Sequence, residues 1–306
     1  MRLTLIARES ERDPRAPANE DLAGWTDTSV WLLDGATGLA ETRCLPGPSD
    51  AKWLVERMDE AFRRFDPDPC LTLPGLLREA VQQVREEFAR DALRIPLQRF
   101  EEPSASMIFL RCRRGQLEYA VLGDCRALFE RGGEIGEIHG FGRIEALDRQ
   151  AIVQMQRLRA SAAHLDYLAV RAAILPLLRE HRMHLNTPGG YWALGLEPEA
   201  VDHMATGILE PPPSGEVLLL TDGFYRLVDT FAALSPQGLL ARVRDDGATT
   251  LVKLLRQLEE LDPECLQHPR LKAFDDASAV LVGFEGASAG LSASGQLAST
   301  LSTQHE

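Results

Sequence analysis

The sequence predicts an α+β fold built on antiparallel β-sheets. Strand-like and helix-like segments come in blocks rather than in strict β-α-β alternation, which disfavours a parallel sheet. Two turns, at 113–115 and 131–133, each separate two short strand-like runs, which is the arrangement of a β-hairpin. Two segments, 51–65 and 76–92, carry apolar residues at helical spacing, and we expect each to cover a sheet face.

Strands are predicted from short runs that are apolar or that alternate between apolar and polar residues. In chain order these runs are 3–7, 29–33, 104–111, 116–122, 127–129, 134–138, 191–194, 201–209, 217–220 and 277–284. The charged stretch 9–19 contains Pro14 and Pro17 and is predicted to be a loop. Three prolines at 211–213 predict a surface linker.

Helices are predicted from apolar spacing and from residues that start or stop a helix. Asp50 is the predicted N-cap of the first helix, and Pro67 prevents its continuation. A block rich in Ala, Leu, Arg and Gln runs from 144 to 184, and Pro176 predicts a kink or a helix boundary within it. The predicted helices are 51–65, 76–92, 146–163, 167–182, 239–243 and 250–261.

Charge, hydropathy and cysteine content make several partners and cellular locations unfavourable. The 306 residues include 33 basic and 46 acidic side chains, and the net charge of −13 disfavours nucleic acid or an anionic membrane as a partner. No apolar run is long enough for a membrane span or a secretory signal. Five scattered cysteines without a Cys-x-x-Cys pair predict free thiols and a cytoplasmic location.

Aspartates stand at the ends of four apolar strands. Asp34 follows 30–33, Asp124 follows 121–122, Asp222 follows 217–220 and Asp275 precedes 277–282. One Asp-Gly pair is typical of an ordinary turn, but the joint pattern brings several carboxylates to the rim of a sheet. Buried unpaired carboxylates are costly, so such a cluster must bind cations or take up protons. Oxygen donors suit magnesium or manganese, and two such ions can activate water and hold phosphoryl oxygens.

The order of six short motifs resembles that of the type 2C metal-dependent Ser/Thr protein phosphatases over about residues 1–284. They are Asn-Glu-Asp at 19–21, Val-Trp-Leu-Leu-Asp-Gly at 30–35, Ser-Ala-Ser at 104–106, Val-Leu-Gly-Asp-Cys-Arg at 121–126, Leu-Leu-Thr-Asp-Gly at 219–223 and Asp-Asp-Ala-Ser at 275–278. The resemblance implies an α-β-β-α sandwich of two antiparallel sheets flanked by helices. It also implies hydrolysis of phosphoserine and phosphothreonine in a protein that a Ser/Thr kinase has phosphorylated.

The resemblance also implies the residues of the site and the division of the chain. Asp34 would bridge two divalent cations, Mn²⁺ or Mg²⁺, with Glu20 and the carbonyl of Gly35 on one ion, and Asp222 and Asp275 on the other. Residues 1–285 would form the phosphatase domain, with a variable helical flap at 144–185. Residues 286–306, rich in Ser, Ala and Gly, are predicted to be a disordered tail.

Several positions depart from the family pattern. Where many members of the family have an arginine that binds phosphate, this chain has Ala16, so the neighbouring Arg15 is the candidate for that role. Ala36 stands where many members have a histidine proposed as the general acid. Asp124 would be a ligand of a third ion, but its partner position is Arg226, which disfavours that ion and allows pairing with Asp124 or contact with phosphate. Arg126 is expected to have a structural role.

Two functions therefore remain open from the sequence. The ligand set favours an active phosphoprotein phosphatase. The substitutions at Ala36 and Arg226 keep a second interpretation open, in which a catalytically weak relative binds a phosphorylated partner and regulates it without hydrolysis. The sequence leaves the choice of Mg²⁺ or Mn²⁺ and the oligomeric state open.

Overall fold

Ten strands and eight α-helices form the part of the chain that is described in a computed structural model, residues 2–162, 164–210 and 215–285. The strands are β1 Arg2–Glu11, β2 Asp21–Trp25, β3 Ser29–Ala36, β4 Ser104–Arg113, β5 Gln116–Leu122, β6 Arg126–Arg131, β7 Glu134–Ile138, β8 Ala205–Leu209, β9 Glu216–Leu220 and β10 Ala277–Glu285. The helices are α1 Asp50–Phe65, α2 Leu73–Asp91, α3 Arg143–Ser161, α4 Tyr167–Ala173, α5 Leu175–Arg182, α6 Asp222–Asp229, α7 Pro236–Asp246 and α8 Ala248–Leu261. The predicted tail 286–306 and the linker 211–213 lie outside the described residues.

The strands form two five-stranded sheets in which every named pair is antiparallel. The first sheet has the order β1-β10-β9-β6-β7, and the second has the order β2-β3-β4-β5-β8. The predicted hairpins are confirmed, since β4 pairs with β5 and β6 pairs with β7.

Alternate residues of β3 show how the layers stack. Trp31 points toward α1 and α2, and its ring centroid lies 5.6 Å from that of Phe62 of α1 and 5.2 Å from that of Phe109 of β4. Val30 and Leu32 point the other way, into an apolar layer between the two sheets. The first sheet buries its outer face under α6, α7 and α8. The predicted α-β-β-α sandwich is therefore confirmed.

Several element boundaries differ from the predictions. The charged residues 9–11 continue β1, because pairing with β10 extends to Glu11 and the charged side chains lie on an edge strand. Strand β2 and helix α6 were not predicted, and residues 191–194 make only isolated bridges. The segment predicted as a strand at 201–209 begins in a 3₁₀ turn, Pro198–His203. Helix α1 is capped by Ser49, which accepts from the amide of Lys52, so the prediction of an Asp50 cap is wrong.

All five cysteines are free, which confirms the expected free thiols. None of the described helices is both long and apolar enough to cross a lipid bilayer.

The block predicted as two helices consists of three, α3, α4 and α5, here called the helical insert (143–182). Pro176 lies in the first turn of α5, so it marks a helix boundary. Met155, Val170 and Leu178 of the insert pack with Phe274, close to the start of β10. The insert is thereby docked on the same segment that carries two of the acids described below.

Arg182 links the end of the insert to the second sheet by hydrogen bonds. Its Nη2 donates to the carbonyl oxygen of Ala36 at 2.6 Å, to that of Glu102 at 2.9 Å and to Oγ of Ser104 at 3.1 Å. Nearby, Nε of Arg179 donates to the carbonyl oxygen of Leu39 at 3.0 Å. The insert is thus tied to the backbone that follows Asp34.

A buried ion pair joins the end of α1 to strands β3 and β4. The Asp66 carboxylate accepts hydrogen bonds from the hydroxyls of Ser29 at 2.5 Å, Thr26 at 2.6 Å and Thr28 at 3.0 Å. Nε of Arg111 lies 3.2 Å from the same carboxylate, and the two charged side chains are only 4% and 1% exposed.

We expect Asp66→Ala to lower the free energy of unfolding by about 3–5 kcal/mol, because it leaves Arg111 as an uncompensated buried charge. Urea denaturation followed by circular dichroism measures this change. The control is Asp27→Ala, since the Arg2–Asp27 pair is 68% and 82% exposed and should contribute little. Equal stabilities of the two variants would show that the buried network does not hold α1 in place.

We expect Arg182→Met to speed amide hydrogen exchange in α5 by at least about 10-fold, because three partly buried acceptors lose a charged donor. Hydrogen exchange with mass spectrometry measures this change. Arg157→Met is the matched control, because Arg157 lies exposed on α3 of the same insert. If the amides of α5 exchange in both variants at the rate measured for the parent, contacts other than those of Arg182 hold the insert.

Candidate active site

The sandwich brings acids from both sheets to one end. Asp34 lies in β3, opposite Asp21 of β2. Asp222 follows β9 after a single residue, Thr221, and Asp275 lies just before β10, the neighbour of β9. The hydroxyl of Thr221 donates to Oδ2 of Asp21 at 3.1 Å and so links the two sheets at this end.

Two glycines allow the acidic segments to approach closely. A Cβ at Gly223 would lie 1.9 Å from the carbonyl oxygen of Asp276, so only glycine fits after Asp222. A Cβ at Gly35 would lie 2.7 Å from the carbonyl oxygen of Glu20, which accepts from the Gly35 amide at 3.2 Å. The Asp-Gly pairs therefore serve close packing of the acid-bearing segments.

A cavity of about 1060 Å³, here called the acidic cavity, opens at this end of the sandwich. Five of the predicted site residues line it: Glu20, Asp34, Asp124, Asp222 and Asp275. The helical insert contributes to its wall through α3 and α5. The structure thus brings together acids that are separated by up to 255 residues (275 − 20) in the sequence.

The carboxylates shift one another's pKa values. Burial, and then the charges of Asp21 and Asp222, raise the pKa of Asp34 well above its ordinary value. Burial and the charge of Asp222 raise the pKa of Asp124 to about 8. Burial also opposes ionisation of Asp222, but Arg226, Lys272 and a hydrogen bond with Asp34 outweigh it and lower the pKa of Asp222. Without added cations, protons on Asp34 and Asp124 relieve the repulsion.

Asp275 differs from the other acids because two protein cations already neutralise it. Nη2 of Arg226 lies 2.6 Å from one carboxylate oxygen, and Nζ of Lys272 lies 2.6 Å from the other. Arg226 also pairs with Glu259 at 3.1 Å, and Glu259 is fully buried. Of the two roles left open for Arg226, pairing with Asp124 is wrong, because Asp275 and Glu259 are its partners.

The remaining acids have different partners. Oγ1 of Thr37 donates to Glu20 at 2.5 Å, and the hydroxyl of Ser106 donates to Asp124 at 2.5 Å. Asp276 accepts from the amides of Asp13 at 2.7 Å and Glu20 at 2.6 Å, so it shapes the chain around Glu20. The structural role expected for Arg126 is confirmed, since it pairs with Glu137 at 2.8 Å and stacks on Tyr225.

Arg15 lies outside the acidic cavity. Its side chain is exposed, and its guanidinium stacks on the ring of Phe274 at 4.4 Å from the centroid. Its assignment to phosphate therefore rests on the resemblance and stays a prediction.

The acids of the cavity differ in whether a protein cation already pairs with them. Among residues 2–162, 164–210 and 215–285, no three His, Cys, Asp or Glu side chains are already arranged as a metal cage. Oδ1 of Asp21, which lies opposite Asp34, is nevertheless buried and has no hydrogen-bond partner among the described residues. Glu20, Asp34 and Asp222 could therefore hold an ion with oxygen ligands, whereas Asp275 is occupied by Arg226 and Lys272.

Sequence reasoning missed two side chains of the cavity. Lys272 was not singled out, although it stands three residues before Asp275, a spacing that allows a local ion pair. Asp148 lies on α3 and lines the cavity, and burial and the charge of Asp222 raise its pKa to about 7. No pattern in the sequence marks Asp148, because only the docking of the insert places it near the strand ends.

Comparison with known proteins gives similarity at the level of structure. No protein-family model matches the sequence. No curated protein sequence matches it either. Solved structures, in contrast, match nearly the whole chain.

Three solved structures of serine/threonine phosphatases illustrate the match. The serine/threonine phosphatase PstP/Ppp of Mycobacterium tuberculosis superimposes with a TM-score of 0.56 at 16% identity, over 94% of this chain and 100% of its own. The catalytic domain of PstP in complex with 2 manganese ions gives 0.52 at 16% identity, over 92% and 98%. The serine/threonine phosphatase Stp1 of Staphylococcus aureus gives 0.52 at 12% identity, over 92% and 96%.

These identities establish similarity of fold. The architecture that the type 2C resemblance implied is confirmed by both the strand order and the superpositions. This chain has the fold of bacterial serine/threonine phosphatases.

Proposed function

We propose that the chain hydrolyses phosphoserine and phosphothreonine in a protein substrate, and that it requires a divalent cation, Mn²⁺ or Mg²⁺. The observation that carries the proposal is the convergence of Asp34, Asp124 and Asp222, each in or next to the end of a different strand, in one cavity of a phosphatase fold. One structure of the same fold is a complex with 2 manganese ions, which supports the choice of metal.

The proposed metal ligands are Glu20, Asp34, the carbonyl of Gly35, and Asp222. Burial, and then the charges of Asp21 and Asp222, hold the pKa of Asp34 high, so a bound cation would release a proton and relieve the repulsion between these acids. Such a cation supplies a Lewis acid that activates water and neutralises phosphoryl oxygens. The catalytic roles assigned to Asp34, Asp222, Asp275 and Arg15 rest on the resemblance.

Positive side chains of the chain itself also face the cavity and are suited to a phosphate dianion. Lys272 and Arg226 lie on the Asp275 side, and Arg182 lies where the insert meets β4. Ammonium and guanidinium groups stabilise phosphate through charge-assisted hydrogen bonds. We therefore propose that phosphate enters between the acids and the insert, which acts as the substrate-facing flap.

The same proposal extends to the setting of the reaction. We infer a phosphoprotein made by a Ser/Thr kinase as the substrate, and a signalling role in the cytoplasm. The free cysteines support a reducing compartment, and the acidic surface supports a protein rather than a nucleic acid as partner.

A second candidate function is binding of a phosphorylated partner without hydrolysis. The observation that favours it is the pairing of Asp275 with Arg226 and Lys272, together with Ala36 at the position of a proposed general acid. In that case the positive side chains of the cavity would bind the phosphorylated residue of the partner, and its phosphate would not be cleaved off.

We expect the protein to release phosphate from p-nitrophenyl phosphate and from a phosphothreonine peptide when manganese is present. Asp34→Asn should lower kcat/KM by at least about 100-fold, because it removes the central carboxylate of the proposed metal site. A colorimetric phosphate assay measures both rates across a manganese titration.

Asp245→Asn is the matched control, because Asp245 is exposed near the end of α7 and does not line the acidic cavity. The hydrolase proposal fails if the parent shows no manganese-dependent release, or if Asp34→Asn is as active as Asp245→Asn. Phosphopeptide binding by an inactive parent would support the second candidate.

A further inference from the structure

We propose that Lys272 takes the place of one divalent cation, so that the protein binds a single Mn²⁺ or Mg²⁺ where a two-ion arrangement would be expected. The inference rests on the proposed function only in assuming that a divalent cation binds at the acidic cavity. It assigns a role to a side chain that the type 2C motifs do not contain.

The first support is the geometry of Asp275. Its two oxygens lie 2.6 Å from Nη2 of Arg226 and 2.6 Å from Nζ of Lys272, so each oxygen already has a charged donor. A divalent ion at this carboxylate would sit beside two positive groups and would have to displace at least one of them. Arg226 is fixed by fully buried Glu259, so Lys272 is the one that a metal must displace.

The second support is the charge around Lys272. The carboxylates of Asp275, Asp34 and Asp222 all act on its ammonium group, and these are the acids that would otherwise share the second ion. An ammonium group among three carboxylates does electrostatically what a bound cation would do, although with one charge instead of two. Asp34 and Asp222 also belong to the proposed site of the remaining ion, so Lys272 and that ion would share the neutralisation of these two acids.

The third support is the rigidity of the segment that carries Lys272. Arg270 donates to the carbonyl oxygen of Ala273 at 3.1 Å and pairs with Asp262 at 3.0 Å. The hydroxyl of Tyr167 donates to the carbonyl oxygen of Leu271 at 2.7 Å and accepts from the amide of Ala273 at 3.0 Å. The backbone on both sides of Lys272 is therefore held, and the ammonium group is not that of a freely moving surface lysine.

The position also leaves the ammonium group accessible from the cavity. The Lys272 side chain is 47% exposed, and it forms part of the cavity wall. A lysine is a common phosphate ligand and acts there as a point charge. In the proposed reaction, Lys272 would thus neutralise Asp275 and also contact a phosphoryl oxygen.

Metal stoichiometry tests this inference directly. We expect isothermal titration calorimetry with Mn²⁺ to give one ion per parent chain and two per Lys272→Met chain, because loss of the ammonium group frees an oxygen of Asp275. Lys253→Met is the matched control, since Lys253 is exposed on α8, and it should bind one ion. Metal content after gel filtration gives an independent count, and circular dichroism verifies that each variant is folded.

The parent chain alone can overturn the inference, even if the variant does not fold. Two ions, or none, per parent chain would show that Lys272 does not replace one cation, and so would one ion in folded Lys272→Met. These outcomes are independent of activity. A chain that binds one ion but does not hydrolyse phosphopeptides would contradict the hydrolase proposal and leave the assignment of Lys272 supported.

Discussion

Repulsion between buried carboxylates is the constraint on which the functional end of this sandwich depends. Asp21 at the start of β2, Asp34 near the end of β3 and Asp222 just after β9 meet at one end of the sandwich. Oδ1 of Asp21 has no hydrogen-bond partner in the described part of the chain. Such a cluster opposes folding unless protons or cations compensate it. The chain provides part of that compensation itself, through Arg226 and Lys272.

A series of ion pairs links Asp275 with buried charged residues of the core. Arg226 bridges Asp275 and Glu259, and Arg256 pairs with the second oxygen of Glu259 at 2.5 Å. Arg256 in turn donates to the backbone carbonyl of Glu11, at the end of β1. The acidic cavity is thus connected with an edge strand of the first sheet, and the packing of α8 takes part in placing Asp275.

The residue patterns predicted antiparallel sheets and the convergence of the acids, the resemblance to the type 2C phosphatases supplied the four-layer sandwich, and neither identified the partners of the acids. Alternation in strands and helical spacing follow from burial on one face, so hairpins and covering helices could be predicted. Strand β2 is short and contains Gly24, and α6 begins within a turn motif, so neither has a clear periodic signal. The spacing of Lys272 and Asp275 allows their ion pair, but the position of Lys272 in the cavity could not be predicted, because it depends on how the segment before β10 docks against the insert.

The fastening of the insert by Arg182 has a consequence for the choice of substrate. Because α5 is bound to the backbone after Asp34, and α3 and α5 help to line the cavity, the insert and the strand ends form adjoining walls around the acids. Under the proposed function, the insert would therefore touch the substrate immediately beside its phosphate, and changes of sequence in α3 and α5 would alter the choice of substrate without altering the acids.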